Sequence, residues 1–207
     1  MKHINGAITK DTKLLGRKEI LLNEMKGKIL DIGCGEGELL IKATLLGYDI
    51  VGMDRSENEL DVAKETAKLS NIDISTVLGS IENIPFKKET FDIIVMGEIL
   101  EHLENPLKSL QYVLEFLKPD GKLLITTPSG FAHPDNDHKN FFFTEEAFHK
   151  VNKYWIFDFL PTMWLRIHKL IIIEQLLNEI SEECTMEEIE YGDSKHESLD
   201  LFITIKK

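Results

Sequence analysis

The sequence predicts an α/β fold built on a mostly parallel β-sheet. Three observations carry that reading. Short apolar, β-branched runs alternate with stretches of helical periodicity, as repeated strand–helix units require. The first run ends in a glycine-rich turn, Ile29-Leu30-Asp31-Ile32-Gly33-Cys34-Gly35-Glu36-Gly37, which opens directly into a helical stretch. The chain also closes on two strand-like runs, Thr185–Glu190 and Leu199–Ile205, with no helical stretch between them.

The elements follow in order. Apolar residues at 14, 15, 21, 22 and 25 suit an amphipathic helix ahead of the first strand. Lys28 to Gly33 reads as strand one, and Glu38 to about Leu46 as a helix stopped by Gly47. Asp49–Asp54 is strand two. Ser56 and Glu59 form a capping box for the next helix, with Leu60, Ala63 and Ala67 inward. Ile72–Leu78 is strand three, and Phe91–Met96 strand four. Asn105 caps a further helix with Pro106 at its first position. Leu103, Leu107, Leu110, Leu114 and Leu117 make one buried stripe. Lys118-Pro119-Asp120-Gly121 is a turn before strand five, Lys122–Thr127, and Thr144 starts a short helix through Val151.

The glycine turn carries most of the functional information. Glycine permits positive φ and lets a ligand approach bare backbone. The helix that follows aims its N–H groups and the positive end of its dipole at the turn. Asp31 adds a carboxylate at the strand end, which repels a pyrophosphate and attracts an ammonium group. The dinucleotide fingerprint G-x-G-x-x-G has its third glycine one residue later and no acid before the first. Both differences weigh against a nicotinamide oxidoreductase.

Asp54 lies 21 residues after Gly33, where a carboxylate can accept from both hydroxyls of a ribose. The competing reading is a helix-start acid beside the Ser56 cap. After strand four, Gly97-Glu98-Ile99-Leu100-Glu101-His102 reaches the sheet edge where open α/β folds bind ligands. If that segment turns helically, Glu98, Glu101 and His102 share one face. Two carboxylates and an imidazole suit a divalent metal or proton abstraction. His133 and His138 follow strand five.

Composition bounds the rest. At 207 residues the chain is expected to be one domain over residues 1–207 with a sizeable core. Its net charge of −12, from 24 basic and 36 acidic side chains, gives no general footprint for nucleic acid or anionic membrane. Two cysteines, Cys34 and Cys184, and no apolar leader-like run in residues 1–11 point to a reducing, cytoplasmic setting. No uncharged apolar stretch is long enough for a membrane span.

These motifs, in this order, resemble the class I S-adenosylmethionine (SAM)-dependent methyltransferases. The likeness covers about residues 14–150 and 185–207. It implies a Rossmann-like, mostly parallel seven-stranded sheet whose last strand is antiparallel. It implies SAM as cofactor, with Asp31, Gly33, Cys34, Gly35, Gly37 and Gly97 around the amino-acid end and Asp54 on the ribose. Met53 and Arg55 would flank the adenosine. Ser80 and Ile81 would meet the adenine, although relatives usually carry Asp where Ser80 stands. Pro85 and Phe86 match a loop-packing Pro-Phe pair.

Glu98, Glu101 and His102 resemble the E-x-x-E-H signature of small-molecule methyltransferases, including ubiquinone-type O-methyltransferases. They also resemble small-RNA 3′-end 2′-O-methyltransferases, in which these positions and a later His, here His138, hold a metal. The resemblance therefore offers His102, His138 and Glu98 as catalytic candidates. The alternative is Glu98, Glu101, His102 and His138 as ligands for Mg²⁺ or Mn²⁺.

Residues 129–180 occupy the place of a helical substrate cap. Within them, Phe141, Phe142 and Phe143 suit an aromatic pocket wall or the core. Tyr154–Ile173 suits a lid over an apolar substrate, a dimer contact, or a membrane-interface helix; the acidic charge weighs against the last. The expected activity is methyl transfer to an O, N or C nucleophile of a small molecule. An RNA methyltransferase and a non-catalytic SAM-binding subunit are the alternatives.

Overall fold

Buried strands with apolar side chains on both faces need helices on both sides of the sheet, and the computed structural model of the protein has that arrangement. It describes residues 6–14, 16–129, 138–143, 169–180, 184–191 and 198–207. The first half runs α1 (Gly16–Glu24), β1 (Lys28–Ile32), α2 (Glu38–Leu46), β2 (Asp49–Asp54), α3 (Glu57–Leu69), β3 (Ser75–Leu78) and β4 (Phe91–Gly97). A 3-10 turn (Leu100–His102), α4 (Pro106–Leu114) and β5 (Leu117–Pro128) follow. Then come β6 (Asn140–Phe143), β7 (Lys169–Ile172), α5 (Ile173–Asn178), β8 (Cys184–Tyr191) and β9 (Ser198–Lys206).

Among the described residues the main sheet has seven strands in the order β3-β2-β1-β4-β5-β9-β8. The pairs β1–β2, β1–β4, β2–β3 and β4–β5 are parallel, and β9 runs antiparallel to both β5 and β8. Strand order reverses between β1 and β4. Ligands bind such sheets in the crevice outside the carboxyl ends at that switch point. The glycine turn follows β1, and Glu98–His102 follows β4, so both segments lie there.

The central strands are sealed. Ile29, Leu30, Ile93, Ile94, Val95 and Met96 are all 0% exposed, each contributing about 1.5–3 kcal/mol by burial. One core layer joins Leu30, Ile94 and Ile125 to Leu110 and Val113 of α4; the other joins Ile29, Ile93 and Leu124 to Leu21, Leu22 and Leu40. Ahead of α1, the buried Lys42 of α2 donates to the carbonyls of Thr9, Lys10 and Thr12. That clamp fixes the segment leading into α1.

Several expectations shift. Ser56 Oγ accepts from Glu59 N–H at 3.3 Å, but the returning half of the capping box is made by another residue: Ser56 N–H donates to Asp54 Oδ1 at 2.8 Å. The leucine stripe crosses an element boundary. Leu110 and Val113 are the buried residues of α4 with Pro106, whereas Leu117 already belongs to β5. Lys118–Gly121 is a bulge inside β5 rather than a turn before it: pairing jumps from Phe91↔Leu117 to Ile93↔Lys122, with Asp120 at φ 61. β3 starts at Ser75, three residues later than Ile72.

Of residues 129–180, the described parts are Ser129, residues 138–143 and residues 169–180. β6 and β7 pair in parallel there, outside the main sheet, and Ser129 bridges Phe142. Phe142 is 0% exposed and belongs to the core. The Thr144–Val151 helix, His133 and residues 154–168 lie outside the described residues; within 169–180 the chain forms β7 and then the short helix α5.

Candidate active site

The turn after β1 is built by three left-handed glycines. Gly33, Gly35 and Gly37 have φ of 69°, 51° and 79°, a region costly for any side chain with a Cβ. Two of them also lack room. A Cβ on Gly33 would lie 2.5 Å from Ile99 Cδ1, and one on Gly37 would lie 2.8 Å from Ala63 Cβ. The turn hangs from β2: Met53 carbonyl accepts from Gly33 N–H (2.7 Å) and Cys34 N–H (3.1 Å). Cys34 fills the space over Gly52, where a Cβ would come within 2.7 Å of its Sγ. Burial pushes its thiol pKa up, away from reactivity.

Asp54 ends β2 with its carboxylate already oriented. Oδ2 accepts from Gly35 N–H at 2.9 Å and Oδ1 from Ser56 N–H at 2.8 Å. Each oxygen keeps a second acceptor site. The helix-start bond to Ser56 therefore leaves the carboxylate able to accept further donors, and the bond from Gly35 N–H fixes its orientation toward the glycine turn. Gly79 N–H donates to the Asp54 carbonyl, and the Ser80–Asn83 turn follows. Ile81 is buried in the core, and Phe86 packs edge-on to Phe91 at 5.1 Å. The Met53 side chain is 1% exposed, packed beneath Gly79. Met53 serves the site through its carbonyl, and Arg55 is the exposed neighbour.

A pocket opens between α1 and the ends of β1, β4 and β5. Asp31, Gly33, Cys34, Gly97 and Glu98 line it together with Arg17, Lys18, Glu38 and Thr126. Arg17 pairs with Glu98 at 3.4 Å, and Lys18 with Glu38. Asp31 is buried, and desolvation pushes its carboxyl up to about 7; Lys18 pulls it down and Asp54 adds to the rise. The pocket thus offers both signs of charge, which fits a zwitterion. Arg17 and Lys18 were not singled out by sequence. A basic pair on an amphipathic helix reads as a solvated face until the fold places it.

Across Gly97 lies the acid–histidine cluster. Glu98 sits at φ 57 and Ile99 at φ −121, so the chain is not helical before Leu100. This breaks the expected common face of Glu98, Glu101 and His102. Glu101, His102 and His138 do converge, with potential ligand atoms within 4.8 Å of one another, whereas Glu98 turns to Arg17. The His102 and His138 rings meet edge to face at 4.9 Å, and His102 Nε2 is 3.9 Å from Glu101 Oε1. Glu101 is 2% exposed and accepts from Thr127 Oγ1 at 3.0 Å. Desolvation, with Glu98 nearby, pushes its carboxyl up to about 8.

Asn140, also unforeseen, braces this cluster. Its Nδ2 donates to the Leu103 carbonyl at 2.6 Å and faces those of Leu100 and Glu101 at 3.4 and 3.5 Å. Lys139 N–H donates to the Glu101 carbonyl at 2.8 Å. Residues 138–140 are thereby stitched to the 3-10 turn.

Comparison with known proteins agrees with this geometry. A family model described as "Methyltransferase domain" matches residues 23–197. The chain is 36% identical over 104 residues to a ubiquinone biosynthesis O-methyltransferase of Coxiella burnetii, covering 50% of this chain and 44% of that one. A mitochondrial counterpart from Schizosaccharomyces pombe is 38% identical over 105 residues, covering 49% and 38%. The chain therefore spans less than half the length of these relatives. A SAM-dependent methyltransferase structure from Methanosarcina mazei superposes with TM-score 0.64 at 19% identity, covering 91% of this chain and 96% of that one. With the β9-antiparallel sheet and the glycine turn at its switch point, these matches show that the chain belongs to the class I SAM-dependent methyltransferases.

Proposed function

We propose that the protein transfers the methyl group of SAM to an O, N or C nucleophile of a small-molecule acceptor. The carrying observation is the adjacency of two sites at one switch point: the Asp31–Gly37 turn with Asp54, and the Glu101–His102–His138 cluster across Gly97. The residues present fit SAM. The cradle is built of left-handed glycines, with Ile99 and Ala63 crowding any Cβ at Gly33 and Gly37, the Asp54 carboxylate is held ready by two backbone amides, and the pocket carries both charge signs.

Bound SAM supplies a methyl group already activated on a sulfonium, so the protein's task is orientation and proximity. Asp54 would receive the ribose hydroxyls and Asp31 the ammonium, with Arg17 or Lys18 on the carboxylate. Arg55 would flank the adenosine, with Ser80 and Ile81 at the adenine. His102, part-exposed beside the buried His138, would take the proton from the acceptor. Residues 129–180 would cap the acceptor. The ubiquinone-type relatives and the net charge of −12 support a small molecule over RNA. Free Cys34 supports a reducing, cytoplasmic setting. Among the described residues no helix is long and apolar enough to cross a membrane.

A second reading rests on one observation, the three convergent ligand residues Glu101, His102 and His138. Two imidazoles and a carboxylate suit Mn²⁺ better than Mg²⁺, which prefers oxygen shells. An ion held there would displace the proton that Glu101 otherwise keeps and lower the pKa of an acceptor hydroxyl. Incubation with methyl-labelled SAM and panels of phenolic, amine and carbon acceptors tests the function. Label on one class, lost in His102→Ala, supports it; SAM binding without label on any class contradicts it. Activity abolished by EDTA and restored by Mn²⁺ selects the metal reading, and indifference to both selects proton abstraction.

A further inference from the structure

Thr126 lies near the end of β5, paired with Gly97 of β4. It is 1% exposed, and its Oγ1 is buried with no hydrogen-bond partner among the described residues. Its backbone is fixed, since the Thr126 carbonyl accepts from Glu98 N–H at 2.9 Å. The neighbouring Leu123, Leu124 and Ile125 are fully buried and apolar, so valine would fill this position without leaving a hydroxyl unsatisfied. An orphaned buried hydroxyl weakens the fold.

Gly97 supplies the reason for the hydroxyl. A Cβ there would lie 3.6 Å from Thr126 Oγ1 and 3.6 Å from Leu21 Cδ1. A Cβ at 97 would already stand in van der Waals contact with the hydroxyl. With glycine, Thr126 instead lines the pocket that holds Arg17, Asp31, Gly33 and Glu98. A hydroxyl can accept from an ammonium or donate to a carboxylate, and a free α-amino acid group presents both.

We propose that Thr126 is a cofactor-contacting residue whose Oγ1 hydrogen-bonds the amino-acid end of SAM through the opening left by Gly97. The proposal rests on the SAM reading above. Its partner is the amino-acid group, so a nucleoside lacking that group gains nothing from Thr126.

Calorimetry on the whole chain with SAM and with 5′-methylthioadenosine, which lacks the amino-acid end, tests this. Thr126→Val should weaken SAM binding about tenfold, the scale of one hydrogen bond to a charged group, and leave methylthioadenosine affinity within about twofold. Thr126→Ser should stay near wild type toward both. The ligand-free Thr126→Val protein should melt no lower than wild type, because no bond is lost. Unchanged SAM affinity in Thr126→Val, or equal losses toward both nucleosides, overturns the proposal. Wild-type protein that binds methylthioadenosine and SAM equally also overturns it, whereas wild-type protein that binds neither contradicts the SAM reading itself.

Discussion

The backbone N–H of Gly35 donates to Asp54 Oδ2 at 2.9 Å, tying the middle of the glycine turn to the end of β2. This bond joins the Met53 carbonyl contacts in holding the turn, and with Ser56 N–H it orients the carboxylate. Gly35 itself has room for a methyl group, its nearest neighbour being Glu59 Oε2 at 3.8 Å. Gly35→Ala should therefore carry only the left-handed backbone penalty, about 1–2 kcal/mol. Gly37→Ala adds a 2.8 Å clash with Ala63 Cβ and should cost more. Urea unfolding of the two variants ranks them, and equal losses would show that Ala63 yields freely.

An Asp31 carboxylate that receives the SAM ammonium would make SAM affinity pH-dependent. Its carboxyl is pushed up to about 7 by burial, so part of the ligand-free population is protonated near neutrality. An ammonium ligand stabilises the carboxylate and expels that proton. SAM affinity should rise from about pH 5 to about pH 7, and titrations in buffers of different ionisation heat should report proton release. Asp31→Asn should bind weakly with a flatter profile. A wild-type affinity that falls over this range would remove Asp31 from the ammonium.

Glu101 acts on stability in the opposite sense to an ordinary surface acid. Its native carboxyl titrates near 8 against a usual 4.5. The unfolded chain loses this proton from about pH 4.5 upward while the native chain keeps it. The stability contributed by the neutral group is complete below that pH and declines as pH rises toward 8; Asp31 adds a decline in the same direction toward 7. Ligand-free Glu101→Gln should show a shallower loss of melting temperature between pH 5 and 8. An unchanged slope would place the decline elsewhere.

Asn140→Leu removes the donor to the Leu103 carbonyl and should cost about 1–3 kcal/mol. Its specific signature is local. Cross-relaxation between the His102 and His138 rings, now 4.9 Å apart, should weaken, while SAM affinity, which depends on the far side of Gly97, should hold. Loss of SAM binding with the ring contact intact would contradict the brace.

Much of this fold was legible because its signals are local. Asp49–Asp54, Asn105–Pro106 and Gly47 announce a strand, a cap and a stop by residue type alone. Asp54 and Asp31 were legible because strand ends fix where their carboxylates go. What sequence missed depends on distance in space. Arg17, Thr126 and Asn140 carry no motif; they come to the switch point only because α1, β5 and β6 fold back on it. Glu98 was misplaced because a left-handed φ of 57° at a non-glycine residue is set by the surrounding packing, not by the helical spacing of Glu98, Glu101 and His102.

The central claim is that SAM is held between the glycine turn and Asp54. Calorimetry of SAM against wild type and Asp54→Ala, with NAD as control, tests it most directly. Wild type should bind SAM and not NAD, and Asp54→Ala should lose at least about tenfold in affinity. Undiminished SAM affinity in Asp54→Ala, or heat with NAD and none with SAM, would contradict it.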